Sequence, residues 1–248
     1  MSVGLLVCSY NDRDLSEEMY PSLLASIQPE SPPFGWGIVC VDAGSTDGSV
    51  DFWEGNCPVI HKDNMQLLGP GMLNMDGEDL KHLSKALNAG FKLMMLGDAE
   101  GKHKYDYICH IHPDMKFPQA NWLETLTKYM DDNPDVAKLA ADYASLPESA
   151  RTERPGNQCP WIMRVTAAQE LIDDDGFIFD PGYIGIGGLE DWDINARLIN
   201  LGYKVWITPT VVVEHEGMGT RKRHDTNADA TANRKYYHEK WGAFSPPV

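Results

Sequence analysis

The sequence predicts an α/β fold with a mainly parallel central sheet flanked by helices. Short apolar runs alternate with amphipathic segments, a pattern that favours parallel strands covered on both faces. Several of these runs end in a polar turn, as strands do at the ligand-binding edge of an open sheet. The 248 residues show no repeat and no linker, and 42% are hydrophobic. We therefore expect a single domain over residues 1–248.

The first half of the chain contains four predicted strands and their helices. A turn, Ser9–Asp12, follows the first strand, and Pro21 fits the first position of a helix. A second short helix is expected from about Thr46, and residues 62–78 resemble a loop. An amphipathic helix runs from Leu80 through Leu87 and Phe91 to Met94 and ends at Gly97. The predicted strands are Val3–Cys8, Ile38–Asp42, Val59–His61 and Tyr105–Ile111.

The second half continues the alternation. Capping-box patterns at Asn121 and Thr166 predict helix starts. A glycine-rich stretch, Gly182–Gly188, leads into a helix over Glu190–Leu201 that Gly202 ends. The predicted strands are Val136–Ala141, Trp161–Val165, Tyr203–Ile207 and Val211–Val213, the last two separated by Pro209.

Charge and composition exclude several protein classes. The net charge of −16 makes nucleic acid a poor general partner, although Arg221–His224 is a local basic segment. That segment is either a solvated charge run or an anion-binding flap. No apolar run is long enough for an integral membrane segment, and the N-terminus lacks a signal-peptide pattern, so we expect a cytoplasmic protein. Of the five cysteines, Cys8, Cys40 and Cys109 lie in apolar runs and are expected to be reduced core residues.

Three carboxylate sites follow strands or loops. Asp42 ends a strand and either contacts a base or ribose or caps its own turn through Gly44 and Ser45. Asp114 ends the run His110–Asp114, where His110 and His112 share a face, and a carboxylate there suits a divalent cation. His215 follows the last strand and is either a surface histidine or a metal or phosphate contact.

Glu190 and Asp191 form the third carboxylate site, at the start of a helix. Acidic residues are common there because they favour the helix dipole. The alternative is catalytic: one carboxylate accepts a proton from an attacking hydroxyl. Neighbouring positions on a helix point in different directions, so the two residues are expected to have different roles.

Five segments of the chain match motifs of one enzyme family in the correct order: Val7–Asn11, Val41–Ser49, Ala86–Gly90, Gly187–Asp193 with Arg197, and Tyr236–Gly242. Each segment alone is weak evidence. Together they resemble the GT-A glycosyltransferases of family 2, along nearly the whole length of the chain. The family has a metal-binding Asp-x-Asp motif at the place where this chain has His-Pro-Asp, His112–Asp114. Relatives that have Asn-Pro-Asp at this place are similar to rhamnosyltransferases.

The resemblance implies a GT-A fold and a set of site residues. The half to about residue 116 would bind a UDP-, dTDP- or GDP-linked sugar, and about 117–248 would bind the acceptor and carry a C-terminal flap. Asp191 would be the catalytic base and Glu190 would support the acceptor. The expected donor contacts are Ser9, Tyr10, Asn11, Asp42, Ser45, Asn88, His112 and Arg221.

The implied cofactor is a divalent cation, Mn²⁺ or Mg²⁺, held by Asp114 and His215. His112 is either a third ligand, which would favour Mn²⁺, or not a ligand, in which case Asp114 and His215 are the only protein ligands. The predicted function is a metal-dependent, inverting transfer of a hexosyl or deoxyhexosyl group to an acceptor hydroxyl. The acceptor stays open among a glycan, a lipid-linked or small molecule and a nucleic-acid base. The alternatives are a metal-dependent hydrolase and a non-catalytic nucleotide-sugar-binding module.

Overall fold

A computed structural model describes residues 2–27, 35–63, 79–96, 104–186, 188–217, 223 and 226–242. The strands are β1 (Ser2–Ser9), β2 (Gly35–Asp42), β3 (Val59–Ile60), β4 (Tyr107–Ile111), β5 (Met115–Lys116), β6 (Val136–Tyr143), β7 (Arg154–Pro155), β8 (Trp161–Arg164) and β9 (Lys204–His215). The helices are α1 (Arg13–Ser26), α2 (Ser49–Glu54), α3 (Leu83–Met95), α4 (Trp122–Asp132), α5 (Val165–Asp175), α6 (Glu190–Asn200) and α7 (Asn227–Trp241), with 3-10 turns at Asp79–Lys81 and Glu148–Ala150.

The described strands form one sheet in the order β3-β2-β1-β4-β8-β6-β9-β5, with β7 also paired to β9. Strands β3, β2, β1 and β4 are parallel to one another, and β6 is parallel to β9. Strand β8 lies antiparallel between β4 and β6. Most of the paired residues are parallel, so the predicted α/β class with a mainly parallel sheet is confirmed.

Helix α3 packs on the parallel part of the sheet through the apolar face that the sequence predicted. Leu87, Phe91 and Met94 of α3 are buried, and Leu80, where the helix was predicted to start, is buried in the 3-10 turn before it. The predicted end at Gly97 lies outside the described residues. Gly90 allows a close approach, because a Cβ there would lie 2.3 Å from Cδ1 of Leu6 on β1. This packing holds α3 against β1 and β2.

Asp47 explains how α1 and α2 begin. Its Oδ2 accepts a hydrogen bond from the amide of Arg13 at 3.0 Å, and its Oδ1 accepts one from the amide of Ser49 at 3.0 Å. Helix α1 therefore begins at Arg13 and contains Pro21, so the prediction of Pro21 as a first helical position is wrong. The cap comes from a turn 34 residues away, which local sequence patterns do not reveal.

Two further local predictions are wrong. The two strands expected around Pro209 are one strand, β9, whose pairing with β6 shifts from Thr208 to Val212. This irregularity accommodates a residue that has no amide to donate. Neither predicted capping box forms, since α4 follows Asn121 at φ 57° and α5 begins at Val165, and neither helix has a side-chain cap.

Among the described residues, no helix combines the length and apolar character needed to cross a bilayer. All five cysteines are free thiols. Cys40 and Cys109 are buried as expected, whereas Cys8 is half-buried.

Candidate functional site

A cavity of about 610 Å³ opens at the carboxyl ends of β1 and β4. One wall comes from the turn after β1 and from α3. The opposite wall comes from β8, the segment before it and the start of α6. Among the predicted site residues, those that line this cavity are Ser9, Tyr10, His112, Glu190, Asp191, Asp114 and His215. Residues far apart in sequence therefore meet at the sheet edge, as the topology of a parallel sheet requires.

The turn after β1 is organised by Asp12. Its Oδ1 accepts a hydrogen bond from Ser9 Oγ at 2.6 Å, and its Oδ2 accepts one from the amide of Tyr10 at 3.1 Å. Burial raises the pKa of Asp12 to about 6, although these hydrogen bonds oppose the shift. Asp12 lines the cavity but was not among the predicted site residues.

Asp42, Ser45 and Asn11 form a connected turn next to the cavity. Asp42 is fully buried, and its Oδ1 accepts hydrogen bonds from the amides of Gly44 and Ser45 at 2.9 and 2.8 Å. Ser45 Oγ donates to Asp42 Oδ2 at 2.6 Å and accepts from the Asn11 amide at 2.9 Å. This is the turn-capping arrangement that was the alternative for Asp42. The turn presents Ala43 to the cavity, and direct contact of Asp42 with a base stays a prediction.

Asn88 joins α3 to the segment before the glycine-rich loop. Its Nδ2 donates to the Phe179 carbonyl at 2.6 Å, and its Oδ1 accepts from the amides of Ile178 and Phe179. The side chain is buried, and the structure places it in this tie rather than on the cavity wall. Arg221 lies outside the described residues. The described neighbour Arg223 donates to both carboxylate oxygens of Asp14 on α1.

His112, Asp114 and His215 form a compact cluster, here called the carboxylate cation site. Each offers a ligand atom within 4.8 Å of the other two. His215 Nε2 lies 3.1 Å from Asp114 Oδ1 and 3.3 Å from His112 Nδ1. The antiparallel pairing of Met115 with His215 brings β9 to the end of β4. Two imidazoles and one carboxylate are a donor set that fits a borderline divalent cation such as Mn²⁺.

Glu190 and Asp191 begin α6 on the other side of the cavity. Leu189, just before them, has φ 75°, an unfavourable conformation for a residue with a side chain. Glu190 is buried and its Oε2 accepts from the Gly188 amide at 2.5 Å. Asp191 is half-buried and lines the cavity. The two carboxylates thus have different environments, as expected from helical geometry.

Lys138 is a buried cation that the sequence did not single out. Its Nζ donates to Asn157 Oδ1 at 2.7 Å and to Asn195 Oδ1 at 2.8 Å, and it lies 4.8 Å from the centre of the Trp161 ring. Burial lowers its pKa to about 8, while the negative charges of Asp191 and Glu190 oppose that shift. A lysine within an otherwise apolar predicted strand is the sequence feature that could have indicated this buried position.

No family model and no curated protein sequence matches the chain. Solved structures do match, and the fold they share with this chain is the GT-A fold. The mannosyltransferase PcManGT of Pyrobaculum calidifontis, in complex with GDP-Man and Mn²⁺, has a TM-score of 0.63 at 17% identity, over 99% of this chain and 65% of the other.

Two further matches have the same fold. The glucosyl-3-phosphoglycerate synthase of Mycobacterium tuberculosis, in complex with Mn²⁺, UDP and glucosyl-3-phosphoglycerate, has a TM-score of 0.61 at 13% identity, over 100% of this chain and 82% of the other. S. aureus TarS (residues 1–349) in complex with UDP-GlcNAc has a TM-score of 0.58 at 15% identity, over 86% of this chain and 57% of the other. The chain thus spans less than two thirds of the TarS fragment.

Proposed function

We propose that the chain transfers a sugar from a nucleotide-diphospho-sugar to an acceptor hydroxyl, with inversion at the anomeric carbon. The observation that carries this proposal is that the carboxylate cation site and Asp191 line the same cavity at the sheet edge. A direct displacement needs a donor sugar held next to the carboxylate cation site and a proton acceptor, here Asp191, next to the attacking hydroxyl. The shared fold of three nucleotide-sugar-dependent enzymes supports it.

His112, Asp114 and His215 would hold a divalent cation, with Mn²⁺ favoured by the imidazoles. When bound, it supplies positive charge that stabilises the leaving diphosphate. Ser9 and Tyr10 are placed to bind the donor, since both line the cavity near the carboxyl end of β1. Arg221 belongs to the proposed flap over the diphosphate. The half to about residue 116 is proposed to bind the donor, and the remainder the acceptor.

Asp191 is proposed to accept the proton of the attacking hydroxyl. Its carboxylate reaches the cavity, and the charge of Lys138 interacts with it. Glu190 is bound to the Gly188 amide and therefore shapes the loop that leads into α6, where it would support the acceptor. Attack on the face opposite the leaving diphosphate gives inversion.

The donor nucleotide is proposed to be UDP, dTDP or GDP. UDP, UDP-GlcNAc and GDP-Man are bound in the structures of similar fold. The transferred group is proposed to be a hexosyl or deoxyhexosyl unit. Membership of family 2, the cytoplasmic location and the identity of the acceptor stay predictions.

Asp191→Asn tests the catalytic assignment. We expect the rate of transfer to fall by roughly 10²- to 10⁴-fold, because a positioned base contributes about that much. The dissociation constant for UDP or GDP in the presence of Mn²⁺ should stay within about twofold of the wild-type value. Asp174→Asn, on the exposed end of α5, is the matched control and should change neither quantity.

Asp114→Asn is the complementary variant and should weaken nucleotide binding in Mn²⁺. Transfer at the wild-type rate in Asp191→Asn would contradict the base assignment. Donor binding with neither transfer nor slow donor hydrolysis in the wild type would favour the binding module. Cleavage of simple esters without any nucleotide-sugar would favour the hydrolase.

A further inference from the structure

A second group of metal-binding side chains lies beside the carboxylate cation site. His110, His112 and Cys159 each offer a ligand atom within 4.8 Å of the other two. All three line the cavity, so an ion can reach them from solvent. His112 belongs to both groups, which makes the two potential sites neighbours with one shared ligand.

The imidazole of His110 gives an independent indication of a ligand. The side chain is 3% exposed, and its Nε2 is buried with no hydrogen-bond partner in the described part of the protein. A buried polar nitrogen without a partner is costly, and native structures contain few of them. The ring lies 4.9 Å from the His112 ring and 5.3 Å from the Trp161 ring, so packing fixes its position.

Cys159 is brought to this place by the backbone around β8. Its amide donates to the Tyr143 hydroxyl at 3.0 Å, and its Sγ lies 3.3 Å from the His110 carbonyl oxygen. Burial raises the pKa of the Cys159 thiol well above its usual value, and the carboxylates of Asp114 and Asp191 raise it further, whereas Lys138 lowers it. A cation at the sulfur would offset the repulsion between a thiolate and these carboxylates.

We propose that His110, His112 and Cys159 form a binding site for a thiophilic divalent cation, and we expect it to bind Zn²⁺ and Cd²⁺. One sulfur and two imidazole nitrogens are the donors that select such ions over Mg²⁺ or Mn²⁺. In a tetrahedral site the ligand atoms are about 3.5 Å apart, so small side-chain rotations suffice to close the set.

Binding is a simple exchange at sulfur. A metal–sulfur bond forms, the thiol S–H bond breaks, and the proton leaves to solvent through the cavity. No electron is transferred. Because His112 serves both groups, a thiophilic cation at this site withdraws a ligand from the carboxylate cation site, and we expect Zn²⁺ or Cd²⁺ to weaken Mn²⁺ binding.

Titration of the whole protein with Co²⁺ tests the site, because cobalt bound to a thiolate shows a charge-transfer band in the near ultraviolet. We expect the band in the wild type and its loss in Cys159→Ala. Cys109→Ala is the matched control, since Cys109 is a buried thiol on β4 outside the cluster. His110→Gln should weaken Co²⁺ binding at least tenfold, whereas Asp114→Asn should keep the band.

No band in the wild type, or the same band in folded Cys159→Ala, overturns the proposal. If Cys159→Ala does not fold, alkylation of the wild type decides the question. Cd²⁺ should slow alkylation of Cys159 at least tenfold more than that of Cys8, which lines the same cavity. Equal effects on the two thiols overturn the site. These measurements need neither donor nor acceptor, so they stand independently of the transfer reaction.

Discussion

Lys138 occupies a buried position, although lysine side chains are mostly exposed. It is 1% exposed, yet two asparagine side chains and the Trp161 ring surround its ammonium group. A buried charge is tolerated only when such partners replace water. The strand pattern around Val136–Ala141 predicts an apolar run and gives no hint of Asn157 or Asn195, because those partners come from other segments.

The lowered pKa of Lys138 makes its effect on stability depend on pH. Between about pH 8 and 10.5 the unfolded chain holds this proton and the folded protein releases it, so folding becomes more favourable as the pH rises. The difference corresponds to at most about 3 kcal/mol. We predict that the free energy of unfolding of the wild type, relative to Lys138→Met, rises by about 1 to 3 kcal/mol from pH 7 to pH 10.

Denaturant titrations at pH 7, 8.5 and 10 measure this difference directly. Lys128→Met removes an exposed lysine from α4 and is the control. Groups that titrate in both proteins cancel in the comparison. Parallel pH profiles for the wild type and Lys138→Met would show that the lysine does not lose its proton early in the folded state.

At the scale of elements, Asn88 links α3 to the chain that leads toward α6. Asn88→Ala leaves two amides and one carbonyl of residues 178–179 without their partner. We predict a loss of at least about 3 kcal/mol in the free energy of unfolding, because three buried groups lose their partner and each unpaired group costs about 1–3 kcal/mol. Asn200→Ala, on the exposed end of α6, should change stability little.

A measurement of nucleotide binding distinguishes two roles for Asn88: the hydrogen bonds to residues 178–179, and the direct donor contact that the sequence resemblance implies. If Asn88 acts through the tie, the folded variant binds UDP or GDP with a dissociation constant close to that of the wild type. Unchanged stability together with weaker nucleotide binding would instead support direct contact. Calorimetric titration below the unfolding transition measures both variants under the same conditions.

Strand ends were predictable because periodicity and turn residues are local signals. The sequence placed Asp114 after β4 and His215 just beyond the predicted strand Val211–Val213. In the structure His215 is the last residue of β9, and its Nε2 lies 3.1 Å from Asp114 Oδ1. Asp42 was predicted in the right turn, but its fully buried position depends on hydrogen bonds within the folded loop. The hydrogen bond between Asp47 and the first turn of α1 depends on contact between distant segments. Local sequence patterns do not contain it, and they therefore predicted that the helix starts at Pro21.

At the scale of the whole molecule, α7 fastens the end of the described chain to the helix that carries Asp191. Lys240 Nζ donates to Asp180 Oδ2 at 2.6 Å and lies 2.8 Å from Asp193 Oδ1. The Trp241 indole also donates to Asp193 Oδ1, at 2.8 Å. Both carboxylates are buried. The family resemblance indicated this segment, whereas its partners follow only from the folded arrangement.

Lys240→Met should therefore affect both stability and the site. Removing the ammonium group leaves the buried Asp180 carboxylate without its cation and leaves Asp193, among the described residues, with the Arg197 cation alone, at 3.8 Å. We expect the free energy of unfolding to fall by about 2 to 4 kcal/mol. Asp193 lies two residues after Asp191, so loosening α7 should also lower the turnover rate of transfer while nucleotide affinity is kept. Lys235→Met, on the exposed face of α7, is the matched control. A variant that loses stability but keeps the wild-type turnover rate would show that α7 fastens the fold without positioning Asp191.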